Sequence, residues 1–101
     1  MNRAERARRY KEMALDKINP ILECAECGCD DIRILEINHI NADGKTDRKT
    51  WKSGPQLHLA IINGQRGTND LNILCKACNI IHYLKHRYGP LLPIRAIWRG
   101  I

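Results

Sequence analysis

Two Cys-x-x-Cys pairs constrain the fold of this chain more than any other feature. Cys24 and Cys27 form the first pair, and Cys75 and Cys78 form the second. Two intervening residues let one tight turn present both thiolates to the same ion, and two such turns complete a tetrahedral zinc site. We therefore predict a structural Zn²⁺ that joins the two ends of a long insert, residues 28–74. A site closed by four thiolates has no open coordination position, so this zinc is not expected to be catalytic.

The alternative for a Cys-x-x-Cys pair is a redox dithiol, which needs only one pair within a thioredoxin-like repeat that this sequence lacks. Cys29 is left over, and we interpret it as a plain thiol near the first pair; the alternative is that it replaces Cys24 or Cys27 as a ligand. An odd number of cysteines, and an arginine-rich start with no apolar segment after it, argue against a secreted disulfide framework. A reducing, cytoplasmic location is expected.

Length and charge limit the class of protein. A chain of 101 residues predicts one domain with a modest core, which a bound metal would help to stabilise. Lys and Arg number 17 against 11 acidic residues, a net charge of +6. This excess favours a polyanionic partner through Coulomb attraction and counterion release, and the alternative is an ordinary solvated surface. No apolar run approaches membrane-spanning length, so no membrane association is expected.

The N-terminal segment, residues 1–18, predicts a basic helix that ends at Asn19-Pro20, because the residue before a proline avoids the helical conformation. This helix is either an arm that contacts phosphates or a capping helix with a soluble face. Residues 32–40 predict a strand whose end, at residues 36–39, is polar. A polar, basic loop is then expected over residues 45–51.

A short helix is predicted after Ser53-Gly54-Pro55, since proline is favoured in the first turn, and Asn63-Gly64 ends it. Residues 71–74 predict a second strand. The second cysteine pair opens a helix that runs from Ala77 to about Arg87 and stops at Gly89-Pro90. Pro93 is a candidate start for a last short helix.

His39 lies at the polar end of the first predicted strand. An imidazole titrates in the range that suits a general base, and hydrolysis of a phosphodiester requires such a base and a cation that stabilises developing negative charge. Asn38 and Asn79 offer side-chain oxygens that suit a hard cation such as Mg²⁺ or Mn²⁺. The alternative to a catalytic His39 is a structural histidine. The position of His39 between the two cysteine pairs favours the catalytic interpretation.

The order of these features resembles the HNH endonucleases that carry a pair of zinc knuckles, part of the ββα-metal (His-Me finger) nuclease group. The similarity covers about residues 24–87. The segments Asn38-His39-Ile40-Asn41-Ala42-Asp43-Gly44 and Leu74-Cys75-x-x-Cys78-Asn79 resemble the small HNH proteins of bacteriophages. The resemblance implies an α+β fold: a ββα-metal finger held by the four-cysteine zinc, with added N- and C-terminal helices. The expected organisation is a basic helix at 1–20, the zinc-stapled domain at 21–89 and an apolar tail at 90–101.

The resemblance also implies an activity, that of a DNA endonuclease or nickase dependent on Mg²⁺ or Mn²⁺. His39 matches the general base, and Asn38 and Asn79 match metal-ligand positions. The asparagine that orients the base histidine falls at Asp70, with Asn69 beside it. Asn38 departs from the family, which usually has Asp or His there, and this departure removes a negative charge from the cation's ligands.

DNA is the expected partner, bound mainly through its backbone. Candidate phosphate contacts are the basic residues in the loop after the base and on or around the last long helix: Arg48, Lys49, Lys76, Lys85 and Arg87. Glu36, on the same strand parity as Asn38, or Asp70 is a candidate for restoring the missing negative charge. The alternative function is a zinc-containing module that binds nucleic acid without cutting it.

Overall fold

The computed structural model describes residues 2–90, in which two short antiparallel strands connect the two candidate sites. Strand β1 is Leu35–His39 and strand β2 is Leu71–Cys75. Their register pairs Leu35 with Cys75 and His39 with Leu71. Cys75 therefore lies at one end of the sheet and His39 at the other. Four helices complete the described α+β fold: α1 (Arg3–Ile18), α2 (Gly44–Thr50), α3 (Gly54–Ile62) and α4 (Lys76–Tyr88).

The core is built from leucines on α1 and on both strands. Leu15, Leu35 and Leu74 are at most 1% exposed, and they pack with the buried thiols Cys24 and Cys75. Full burial of one leucine side chain contributes roughly 1.5–3 kcal/mol to folding. The hydrophobic cluster and the cysteine cluster therefore stabilise the same end of the sheet.

Helix α1 packs on α3 through a second cluster, made by Ala14, Ile61 and Leu71. The N-terminal helix is thus a structural part of the fold, as the capping alternative predicted. Its four arginines remain exposed on the outer surface, so the phosphate-arm alternative is compatible with the same packing: Arg3, Arg6, Arg8 and Arg9.

Local capping explains why the helices begin and end close to the predicted residues. Asn2 accepts a hydrogen bond from the Glu5 amide at the start of α1, and Ser53 accepts one from the Gln56 amide at the start of α3. Gly89, with φ of 82°, ends α4. The first strand is shorter than the predicted range 32–40, and the Asp31 carboxylate instead accepts hydrogen bonds from the backbone and side chain of Arg33.

The prediction of a polar loop over residues 45–51 is wrong, because most of this segment forms α2. This helix buries no residue, so it carries no hydrophobic periodicity that a sequence pattern would reveal. Its one acidic residue, Asp47, is anchored from outside by Arg66 and His39. The predicted helix at Pro93 lies outside the described residues. Among the helices of residues 2–90, none is long and apolar enough to cross a membrane.

Candidate metal centre and histidine cavity

The four predicted cysteines meet in one cluster. The sulfur atoms of Cys24, Cys27, Cys75 and Cys78 all lie within 4.8 Å of one another. The Sγ atoms of Cys27 and Cys75 are 3.8 Å apart. A tetrahedron with Zn–S bonds of about 2.3 Å has S···S edges of about 3.8 Å, so the spacing fits a zinc ion. The cluster can hold a metal ion such as zinc.

Both cysteine turns are built in the same way. The Cys27 amide points at Cys24 Sγ and the Cys78 amide points at Cys75 Sγ, each at 3.5 Å. The first turn uses Gly28 in the left-handed conformation, with φ of 77°, and the Ala25 amide donates to the Ile73 carbonyl of β2. The second turn is the start of α4 itself, with Cys75 as its N-cap. The sheet thus brings two distant turns to one point.

The pKa values of the thiols in this cluster shift in opposite directions. Burial raises the pKa of Cys24, but the backbone N–H groups of Cys27, Cys75 and Glu26 outweigh it and lower the pKa to about 6. Burial raises the pKa of Cys78, and hydrogen bonds with the neighbouring sulfurs raise it further. Four adjacent thiols cannot all ionise without a cation because their charges repel one another, and a dication removes that obstacle.

At the opposite end of the sheet, His39 is held by a carboxylate from α2. Its Nε2 atom lies 2.5 Å from Asp47 Oδ2, and its side chain is 16% exposed. An ionised carboxylate only accepts hydrogen bonds, so Nε2 carries the proton when the imidazole is neutral. Nδ1 is then the basic nitrogen, and it makes no hydrogen bond within residues 2–90. This tautomer suits a general base that works through Nδ1.

Asp47 is itself fixed by Arg66, which also binds Asp70. The guanidinium donates to Asp47 Oδ2 at 2.7 Å and to the Asp70 oxygens at 2.6 and 2.8 Å. Burial raises the pKa of Asp47, but hydrogen bonds from Arg66 and His39 outweigh it and hold the pKa below the usual value. The Arg66 bond lowers the pKa of Asp70 as well. The result is a row of alternating charges behind the imidazole.

The carboxylate that contacts the imidazole is therefore Asp47, and not Asp70, to which the resemblance assigned the orienting role. Asp70 reaches the imidazole only through Arg66 and Asp47, although its backbone carbonyl does accept a hydrogen bond from the Ile40 amide, next to His39. Asn69 is exposed in the turn before β2 and makes no side-chain hydrogen bond within the described part of the chain.

The two asparagines predicted as metal ligands are both oriented through their amide nitrogens. Asn38 is 3% exposed, and its Nδ2 donates to Asn72 Oδ1 across the sheet at 2.8 Å. Asn79 Nδ2 donates to Glu36 Oε1 at 2.7 Å. Each amide thus uses its nitrogen as a donor, and neither Oδ1 accepts a hydrogen bond within residues 2–90. An oxygen in this state is a suitable ligand for a hard cation.

His39, Asn38 and Asn79 line one open cavity of about 660 Å³ between the end of β1, α2 and α4. Three basic side chains, of Lys45, Arg48 and Arg87, also line it, together with His82 and His86. Among the described residues no carboxylate lines this cavity. Its charge favours an anion such as a phosphate.

The remaining predicted phosphate contacts divide into two groups. Arg48 and Arg87 line the histidine cavity. The other three are exposed but do not line it: Lys49, Lys76 and Lys85. His82 Nε2 lies 3.2 Å from the carbonyl oxygen of Ile40, the residue that follows His39.

Sequence reasoning missed Asp47 and Arg66, the two residues that orient the imidazole. Asp47 falls in a segment with no apolar pattern, and Arg66 falls in a short loop between Gly64 and β2. The only usable signal was the occurrence of single opposite charges near His39, which many solvated loops share. Comparison with family models, with curated proteins and with solved structures finds no match to this chain.

Proposed function

We propose that this chain is a metal-dependent DNA endonuclease or nickase of the ββα-metal (HNH) type, which hydrolyses phosphodiester bonds with His39 as general base. The observation that supports this most strongly is the environment of one imidazole. His39 has Nε2 fixed by Asp47 and, within residues 2–90, no hydrogen bond on Nδ1, and it borders a cavity lined by basic side chains. This arrangement supplies the base that phosphodiester hydrolysis requires, next to positive charge that attracts a phosphate.

The proposed reaction uses the free nitrogen. Nδ1 of His39 takes a proton from water as the water oxygen forms a bond to phosphorus, and the bond from phosphorus to the leaving sugar oxygen breaks. The leaving oxygen takes up a proton from solvent. Asp47 accepts the hydrogen bond of the resulting imidazolium and keeps the ring in place. Arg48 and Arg87 lie where they can bind the phosphate oxygens.

A Mg²⁺ or Mn²⁺ ion would be held by the Oδ1 atoms of Asn38 and Asn79, and it would supply charge stabilisation for the phosphate and the leaving oxygen. Both ligands are neutral and the cavity wall is basic, so the protein alone is a weak cation site. Mg²⁺ sites commonly take part of their ligands from substrate phosphates. The donor set therefore fits a cation that binds together with nucleic acid.

Cleavage of supercoiled plasmid in the presence of Mg²⁺ or Mn²⁺ tests this proposal. His39→Ala is expected to lower the rate by about 10²–10⁴-fold, the usual contribution of a general base. His58→Gln is the matched control, because His58 lies on α3 and does not line the cavity. Equal cutting by the wild type and by His39→Ala would exclude His39 as the base.

A second candidate function is a module that holds a structural zinc and binds DNA without cutting it. The observation that favours it is the cavity wall, which carries basic side chains and, within residues 2–90, no carboxylate. DNA binding with no divalent-dependent cutting by the wild type would support this function over the nuclease.

A further inference from the structure

Gly44, the first residue of α2, lies against the open side of the His39 ring. A Cβ atom at this position would be 3.2 Å from His39 Nδ1 and 3.5 Å from Cε1 of the same ring. It would also lie 3.7 Å from Nη1 of Arg48, one helical turn further along α2. The missing side chain thus leaves a gap between the basic nitrogen and a guanidinium.

The backbone does not require glycine at this position. Within residues 2–90, positive φ values occur at Gly28, Ala42, Gly64 and Gly89, but not at Gly44. Glycine has a lower helix propensity than alanine, so helix propensity does not account for it either. A close approach to the site accounts for its presence better than local conformation does.

We propose that Gly44 is a positioning residue whose missing side chain admits the reacting water between His39 Nδ1 and the Arg48 guanidinium. This inference rests on the proposed nuclease function and adds to it the place where the water binds. An oxygen that hydrogen-bonds to Nδ1 must come within about 2.7–3.2 Å of it, and a methyl group on residue 44 would obstruct that approach. The ring cannot move aside freely, because Asp47 holds its other nitrogen.

Gly44→Ala tests the inference, and Gly54→Ala is its matched control. Both glycines are the first residue of a helix and neither has a positive φ, but a Cβ on Gly54 would meet nothing within 4 Å. In steady-state cleavage of plasmid with Mn²⁺, Gly44→Ala is expected to lower kcat about 10-fold or more. KM for DNA should stay within about 2-fold of the wild type, since the basic surface is unchanged. Gly54→Ala should match the wild type in both.

A second measurement reports on the gap without requiring cleavage. Diethyl pyrocarbonate acylates an unprotonated imidazole nitrogen, and mass spectrometry of peptides resolves His39 from the other histidines. Gly44→Ala is expected to slow acylation of His39 several-fold, while His82 and His86 react as in the wild type. Gly54→Ala should leave all these rates unchanged.

The two measurements separate the possible failures. If the wild type does not cut DNA, the nuclease proposal fails, and the acylation rates alone decide whether Gly44 controls access to Nδ1. If the wild type cuts and Gly44→Ala cuts at the same rate, the inference is overturned while the nuclease proposal stands. An unchanged rate of His39 acylation in Gly44→Ala also overturns it, because the methyl group then leaves the nitrogen accessible.

Discussion

The cysteine cluster and the histidine cavity lie at opposite ends of the same two strands, but their side chains are satisfied in different ways. Four sulfurs face one another within 4.8 Å and leave no position for a substrate. The cavity instead holds an imidazole with one bound and one free nitrogen, and amide oxygens with no hydrogen bond within the described residues. The comparison indicates that the cysteine cluster suits a structural metal ion, whereas the histidine cavity leaves polar atoms within residues 2–90 available to a ligand.

The two sites also differ in charge. Four thiolates form a strongly anionic centre, and a bound dication offsets half of that charge. The cavity is lined by three basic side chains. Asp47 and Asp70 are paired with Arg66, while Glu36 accepts a hydrogen bond from Asn79. A free dication should therefore prefer the cysteine end, and a polyanion should prefer the histidine end. Three changes of decreasing expected effect sharpen this comparison.

Cys75→Ser is expected to have the largest effect, because it removes a sulfur from the closed site. Cys75 is 4% exposed, caps α4 and lies against Cys27 Sγ. Zinc binding contributes about 10–16 kcal/mol in structural zinc peptides, which matches or exceeds the whole stability of a small domain. We expect loss of the cooperative thermal transition, measured by circular dichroism, together with loss of bound zinc measured by elemental analysis.

Cys29→Ser is the control for that change, since the Cys29 sulfur lies outside the four-sulfur cluster. It should keep the zinc and melt close to the wild-type temperature. A Cys75→Ser protein that melts like the wild type would show that the cluster does not stabilise the fold, and the contrast between a closed and an open site would then be lost.

Arg66→Met is expected to have the next largest effect, because it leaves two carboxylates near His39 without their partner. Removing one member of a largely buried ion pair costs about 3–5 kcal/mol, and the partial exposure of Asp70 places the expected loss near the lower value. Urea unfolding at pH 7 measures it. Arg33→Met is the control, because the Arg33–Asp31 pair is exposed and should change stability little.

The same variant should change how stability depends on pH. Arg66 lowers the pKa of Asp47 and Asp70 below the ordinary 3.8. Each carboxylate therefore stabilises the folded protein above pH 3.8, and this contribution is lost as pH falls through the folded pKa. Arg66→Met should lose less stability than the wild type between pH 4 and pH 2. Parallel curves for both proteins would contradict the assigned role of Arg66.

The smallest expected effect is that of Asn38→Asp on cation binding, measured at a position where the change also removes the Nδ2 donor to Asn72. It adds a carboxylate to a cavity that has none among the described residues, and we expect Mn²⁺ affinity of the zinc-loaded protein to rise on the order of 10-fold, about 1.4 kcal/mol. Calorimetric titration measures this change. Asn69→Asp is the control, because it adds the same charge at an exposed position outside the cavity. Equal Mn²⁺ affinity in both variants would argue against Asn38 as a ligand.

Much of the fold was predictable because it depends on neighbours in sequence. The Cys-x-x-Cys spacing, the Asn19-Pro20 stop and the Ser53-Gly54-Pro55 start each act over a few residues, and the structure follows them closely. The exception, α2, has no buried side chain and therefore no periodic signal. Its position depends on contacts between Asp47, Arg66 and His39, which come from three separate segments.

The candidate site likewise has residues that the sequence identified and a contact that only the fold determines. Position relative to the cysteine pairs singled out His39, Asn38 and Asn79, and all three line the cavity. The resemblance, carried over by counting back from Cys75, pointed to Asp70 as the partner of the imidazole, whereas the carboxylate in contact with it is Asp47. Counting along the chain cannot tell which of the two carboxylates reaches the ring nitrogen, because that depends on how the segments that carry Asp47 and Asp70 fold against His39.

By itself the sequence determined a small basic α+β domain with four cysteines brought to one point, since these properties depend on composition and on spacing within short segments. Only the tertiary structure decided which nitrogen of His39 is bound and which is open, and that Gly44 borders the open one. The physical reason is that hydrogen bonds and close approach depend on distances of a few ångströms between residues that the chain order separates.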